Sequence, residues 1–230
     1  MAHSSLTETA NEFDQWATNG RAESMANGHG NASLQMLALL PQKLKGMSLD
    51  IGCGNGWMVR ESISRGIEQG FGLDISPKMV QVAAESKDFG EREHYFVSHA
   101  EKIDVPDQEF DLITSIESLY YYPNPVQALQ EWYRICKVGG QLAIMIDLYK
   151  ESPATHTWID ALDISVHLLS KAQIKEDLEK MGWKNVQMHQ CQDTRPMKSK
   201  EDFQESAFWP SYQQYISYRE TGSLCIIAEK

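Results

Sequence analysis

Leu49-Asp50-Ile51-Gly52-Cys53-Gly54-Asn55-Gly56 runs from an apolar, strand-like stretch straight into three glycines at alternate positions. Glycine tolerates positive φ and leaves no Cβ between a ligand and the backbone, so the run predicts a nucleotide-type loop joining a strand to a helix. The dinucleotide fingerprint G-x-G-x-x-G has its third glycine where this chain has the bulky Trp57. That glycine lets a helix pack closely while its N-terminus faces a pyrophosphate. Asp50, beside the first glycine, would oppose a phosphate but suits a cation. The loop therefore favours a ligand with an ammonium or sulfonium group over NAD.

Asp74 ends the next apolar stretch, Phe71-Gly72-Leu73-Asp74-Ile75, where an acidic side chain can accept both ribose hydroxyls. Taken alone it could be a cap for the turn at Pro77; its place relative to the loop favours the ribose.

Outward from these two stretches, strands and helices alternate. Strands are predicted at 47–51, 71–75, 94–97, 110–115 and 141–146, with helices at 57–65, from Pro77, and at 126–136, the last ended by Gly139-Gly140. Such β-α-β repetition predicts an α/β, doubly wound, mostly parallel sheet with helices on both faces. Ligands then bind beyond the carboxyl ends of the strands. Ser170 is placed to cap a helix to Met181, with Gln173 completing a capping box. Two further strands are expected at 186–191 and 223–228. Before the loop, one amphipathic helix carries Phe13 and Trp16, and a second spans 32–40. Residues 148–169 and the aromatic-rich 193–221 read as insertions over the site. We expect a single domain over 1–230, with 1–45 as a helical lid.

A chain of 230 residues, with 42% hydrophobic and 23% charged residues, suits one α/β domain. Its net charge of -11 repels phosphate backbones, which argues against a nucleic-acid partner. Cys53, Cys136, Cys191 and Cys225 form no C-x-x-C pair and no His/Cys cluster, so no metal is expected. No basic-then-apolar start and no membrane-length apolar run is present, so a cytoplasmic protein with no membrane partner is expected.

The loop, with Gly72-Leu73-Asp74-Ile75-Ser76-Pro77-Lys78-Met79, resembles the first two motifs of the class I S-adenosylmethionine (SAM)-dependent methyltransferases. Ala100-Glu101-Lys102-Ile103, followed by Pro106-Asp107-Gln108-Glu109-Phe110-Asp111, resembles their adenine-contact stretch and fourth strand; 129–140 resembles the following helix and turn. The resemblance covers about 47–147 and is strongest to the small-molecule branch, including quinone-type methyltransferases. It implies a seven-stranded Rossmann-like sheet whose last strand is antiparallel, and SAM as cofactor with S-adenosylhomocysteine (SAH) as product. Asp50, Gly52, Gly54, Asn55 and Gly56 would approach SAM, with Asp74, Ile75 and Met79 at the ribose end. Ala100 and Glu101 would flank the adenine; Ser115 and Ile116 would lie by the methionine portion. The N-terminal segment, with Trp16, Arg21, Met25 and His29, is similar to the family's lid over SAM.

Methyl transfer from a sulfonium needs mainly alignment and exclusion of water, with a general base only where the nucleophile must lose a proton. Glu117, Tyr120, Tyr121 and Tyr122 follow the fourth strand, at the expected pocket mouth. Glu117, Tyr121, His156 and His167 are the candidate catalytic groups. Tyr149, Trp158 and Trp209 in the insertions are candidate acceptor contacts, or packing residues, or a homodimer face. The expected function is methylation of a small-molecule acceptor by a monomer or homodimer. The rivals are an NAD(P)-dependent oxidoreductase, a non-catalytic SAM-binding protein, and a protein or RNA methyltransferase.

Overall fold

The computed structural model describes residues 4–42 and 44–230, so positions 1–3 and 43 of the expected lid lie outside the described residues. Two helices lead, α1 (Leu6–Thr18) and α2 (Arg21–Ala38). An alternation follows: β1 (Met47–Ile51), α3 (Trp57–Ser64), β2 (Gln69–Asp74), α4 (Pro77–Glu85), β3 (Glu93–Val97), β4 (Phe110–Ile116), α5 (Pro125–Ile135) and β5 (Cys136–Ile146). The chain closes with α6 (Trp158–Ala161), α7 (Lys171–Met181), β6 (Lys184–Cys191), α8 (Tyr212–Thr221) and β7 (Ser223–Glu229). All seven strands join one sheet in the order β3-β2-β1-β4-β5-β7-β6, parallel except for β7, which opposes both its neighbours.

Side chains alternate across a strand, and the core sorts accordingly. Leu142, Ile144 and Ile146 of β5 face one layer, packed by α5 and α7 through Trp132 and Ile174. Ala143 and Met145 face the other, packed by α2 and α3 through Met36 and Met58. Both faces are therefore covered, as a parallel sheet requires. Strand order reverses at β1, which pairs with β2 on one side and β4 on the other. The carboxyl ends of β1, β2 and β4 thus open onto one crevice.

Four local expectations change. The helix expected at 32–40 is the end of the longer α2, which runs through Gly28 and Gly30. Burial of Ala32, Ser33, Met36 and Leu37 outweighs the poor helix propensity of those glycines. Gly139 and Gly140 lie inside β5 rather than ending a helix, because Gly139 N–H donates to Lys230 O and Lys230 N–H to Gly140 O. Ser170 Oγ accepts from Gln173 N–H at 3.1 Å, but the Gln173 amide turns to Asp177, so only half of the capping box forms. The full box sits instead at Ser5 and Glu8 of α1. Finally, the second insertion contains α8, and it packs on the first: the Trp158 ring lies 5.2 Å from Trp209, and Trp158 Nε1–H donates to Phe208 O. Among the described residues no helix is long and apolar enough to cross a membrane.

Candidate active site

β1 carries the glycine loop to the crevice, and its three glycines meet different surroundings. A Cβ at Gly52 (φ +77°) would lie 2.6 Å from Ser118 Cβ, and one at Gly56 (φ +78°) 2.5 Å from the Tyr95 hydroxyl. At Gly54 (φ +51°) the same position is open, with no atom within 4 Å. Gly54 is therefore the point where a ligand can reach the backbone. Gly54 N–H donates to Asp74 Oδ2 and Ser76 N–H to Asp74 Oδ1, both at 2.9 Å. Asp74 thus pins the loop while keeping lone pairs for hydroxyl donors. Asp50 Oδ1 accepts from the Thr114 hydroxyl at 2.7 Å. Burial pushes Asp74 up to about 6 and Asp50 up to about 7, with the mutual repulsion of the two carboxylates adding to Asp50.

The cleft over this loop is lined by Asp50, Gly52, Gly54, Asn55 and Trp57 from the first turn and by Asp74, Ile75 and Met79 from the second. Ala100 and Glu101 line it after β3; Ile116, Glu117, Tyr121 and Tyr122 do so after β4. Its roof comes from α1 and α2 through Phe13, Trp16, Met25 and His29. The roof is anchored on the far wall, where the Ser76 hydroxyl and Lys78 N–H both donate to Asp14 of α1.

A second cavity, of about 580 Å³, adjoins the cleft. Arg21, Tyr120, Trp158 and Trp209 line it, with Phe208, Tyr218 and Arg219. Trp16, Met25, His29, Glu117 and Tyr121 line both spaces and form the wall between them.

Within that wall lies a buried charged cluster. His29 Nδ1 is 3.0 Å from Asp147 Oδ2, which also accepts from the Tyr218 hydroxyl at 2.6 Å. Glu117 accepts from the Tyr120 hydroxyl at 2.7 Å and from Asp147 N–H. Glu117 holds a positive φ of 53°, an uncommon conformation for a side-chain-bearing residue. Burial, then the Asp147 charge, holds its carboxyl well above the usual range. Burial works against the Asp147 charge too, but His29 outweighs it and holds Asp147 low. For His29 itself, burial is overcome by Glu117 and Asp147, which bring it up to about 9. One ligand atom from each of the three groups lies within 4.8 Å of the others, a spacing that could surround a cation. Three of their four carboxylate oxygens already accept hydrogen bonds or face His29, so the arrangement reads as a proton network.

A methyltransferase domain model matches residues 49–144. The chain is 28% identical to a Haloferax volcanii methyltransferase solved in complex with the Trm112 methyltransferase activator, with a TM-score of 0.86 over 95% of this chain and 97% of that one. Residues 49–144 thus match a methyltransferase domain, and the fold agrees with that of the Haloferax methyltransferase over nearly the whole of both chains. It is 30% identical to the 27-O-demethylrifamycin SV methyltransferase of Amycolatopsis mediterranei, over 52% of this chain and 45% of that protein. It is 28% identical to the demethylmenaquinone methyltransferase of Listeria monocytogenes, over 74% of this chain and 72% of that one. The chain spans about half the length of the curated relatives at 30% identity.

Most residues singled out from sequence reach the two spaces, and a few do not. Gly56 packs behind the loop against Tyr95. Ser115 is fully buried, its hydroxyl 2.6 Å from that of Ser118, and Ser118 lines the cleft in its place. Neither His156, with Nε2 at Tyr149 O, nor His167, with Nε2 at Pro123 O, lines either space. Tyr149 is buried and accepts from the Gln190 amide. Sequence reading missed Ser118, Arg219 and Asp147. Only Asp147 carried a signal, as an acidic residue ending the fifth strand beside the crevice.

Proposed function

We propose that the chain transfers a methyl group from SAM to a small-molecule acceptor, leaving SAH. The observation that carries this reading is the shared wall of Trp16, Met25, His29, Glu117 and Tyr121 between cleft and cavity. A donor in the cleft would meet an acceptor in the cavity across it.

The cleft suits SAM. Gly54 leaves room at the backbone, Asp74 offers acceptors for ribose hydroxyls, and Asp50 provides the negative charge a cationic ligand needs. Trp57 at the third-glycine position speaks against a dinucleotide. SAM, when bound, supplies a methyl on a sulfonium already activated for displacement. The chain's own tasks are then to align, to exclude water and to handle a proton. Ala100 and Glu101 would flank the adenine, and the α1–α2 segment would act as the lid. Glu117, touching both spaces and raised to about 8, is the group assigned to take an acceptor proton in its ionised form, which the His29 charge favours.

Calorimetry should show SAM and SAH binding and no NADH binding; the reverse pattern would make the chain an oxidoreductase. A screen of small acceptors with methyl-labelled SAM should then find a labelled product, whereas SAM binding without any transfer marks a non-catalytic protein. Because the Haloferax neighbour was solved with Trm112, the screen is run with and without that activator. With the acceptor in hand, Glu117→Gln should slow transfer by ~10²-fold or more while SAM affinity stays within about threefold.

A further inference from the structure

We propose that the acceptor carries an anionic head, a carboxylate or phosphate, at one end of a flat apolar body, and that Arg21 binds this head. The inference rests on the aromatic cavity being the acceptor site.

Arg21 lines the cavity and not the cleft, which places it with the acceptor rather than the cofactor. Its guanidinium is sandwiched 3.7 Å from the Trp16 ring centroid and 4.7 Å from that of Phe208. Stacking fixes the plane and leaves the N–H edge free to form a fork of two parallel hydrogen bonds. Among the described residues no carboxylate forms an ion pair with it. The other two cavity arginines are already engaged. Arg195 donates to Asp193 and to the carbonyls of Asn27 and Gly28. Arg219 donates to the Tyr215 hydroxyl and to the carbonyls of Asp193 and Arg195.

Desolvation outweighs the charges of Glu12 and Asp163 that reach Arg21, and a partly desolvated cation without an ion pair is costly unless an anion meets it. It stands out all the more in a chain whose net charge is -11. Of the two acidic residues lining the cavity, Asp193 is bonded to Arg195 and Glu117 accepts from the Tyr120 hydroxyl and Asp147 N–H, and neither forms an ion pair with Arg21. Trp158, Trp209 and Tyr218 supply further flat apolar faces to the same cavity. Arg21 and His29 lie eight residues apart on α2, so head and reacting atom are held roughly 12 Å apart along the helix. That distance suits a bicyclic or longer conjugated body.

Calorimetry on the full chain, with and without saturating SAH, tests this with 2-naphthoate, 2-naphthyl phosphate and the neutral 2-naphthamide. At least one anion should bind about tenfold tighter than the amide, and the tighter anion names the head. Arg21→Gln should bring that anion to the amide's affinity while amide and SAH binding stay within about twofold. Arg21→Lys should keep part of the preference. The proposal falls if the amide binds as tightly as both anions, if none of the three binds below about 1 mM, or if the preference survives Arg21→Gln. It also falls if Arg21→Gln weakens SAH instead, which would assign Arg21 to the cofactor. The wild-type comparison decides by itself should the variant fold poorly. Failure of SAH to bind would sink the methyltransferase reading, yet the anion preference without SAH would still be measured.

Discussion

At Gly52 an added methyl would lie 2.6 Å from Ser118 Cβ, whereas at Gly54 it would enter open space on the ligand's side of the loop. Alanine in the left-handed region costs ~1–2 kcal/mol at either position. Only at Gly52 does a clash add to it, so Gly52→Ala should lower the urea midpoint more than Gly54→Ala. Gly54→Ala should instead cost most in SAM affinity, about tenfold by calorimetry; equal stability losses with unchanged affinity would contradict this division. The two carboxylates beside the loop make a second prediction. Burial holds Asp74 at about 6 and Asp50 at about 7, so both bind protons in the free protein at mildly acidic pH. A cationic ligand with ribose hydroxyls prefers the ionised forms. SAM affinity should therefore rise from pH 5.5 to pH 7.5, by about tenfold, with proton release on binding. A flat profile would mean that neither carboxylate meets the ligand.

Among the elements, α2 shows how tertiary contacts override local preference. Gly28 and Gly30 weaken it as a helix, yet it is pinned along its length. The Arg195 guanidinium donates to the carbonyls of Asn27 and Gly28, Thr194 N–H to the Asn31 side chain, and the Gln35 amide to Gln192 O. The second insertion thus latches α2. Arg195→Ala should raise amide exchange in the first half of α2 and in 193–211, by about tenfold for the loss of ~1–2 kcal/mol of charge-assisted bonding. Exchange confined to 193–211 would show that α2 holds its place without the latch. The strands were more readable than this helix. Their short continuous apolar runs, as in Leu142-Ala143-Ile144-Met145-Ile146, need no partner to be recognised.

For the whole molecule, the buried His29–Asp147–Glu117 cluster couples folding to pH. His29 ionises near 6.5 in an unfolded chain and at about 9 in the fold. The folded state therefore holds more protons, and its stabilisation is complete below pH 6.5 and lost as pH rises through 9. Glu117, raised by burial, acts in the same direction. The unfolding free energy should fall between pH 6.5 and 9.5 by on the order of 3 kcal/mol for His29, and the Tm with it. The decline should be shallower in His29→Gln; a Tm that rises across this range would contradict the charge assignment.

The sequence by itself determined the α/β sheet, the order of its elements and the loop with its acidic partners. These are short-range matters, in which alternation, glycine spacing and the distance from loop to strand end lie within one β-α-β unit. Tertiary structure decided which side chains meet. Ser115 and Ser118 are three residues apart, but Ser115 is buried within β4 while Ser118, in the turn after it, reaches the cleft. His29 finds Asp147, and Arg21 stacks on Phe208, only because α2 and the second insertion fold over the same sheet edge. The cleft over the loop is carried by backbone shape, which glycine spacing encodes directly. The adjoining cavity is built from side chains brought together across the whole chain, and no local pattern encodes such contacts.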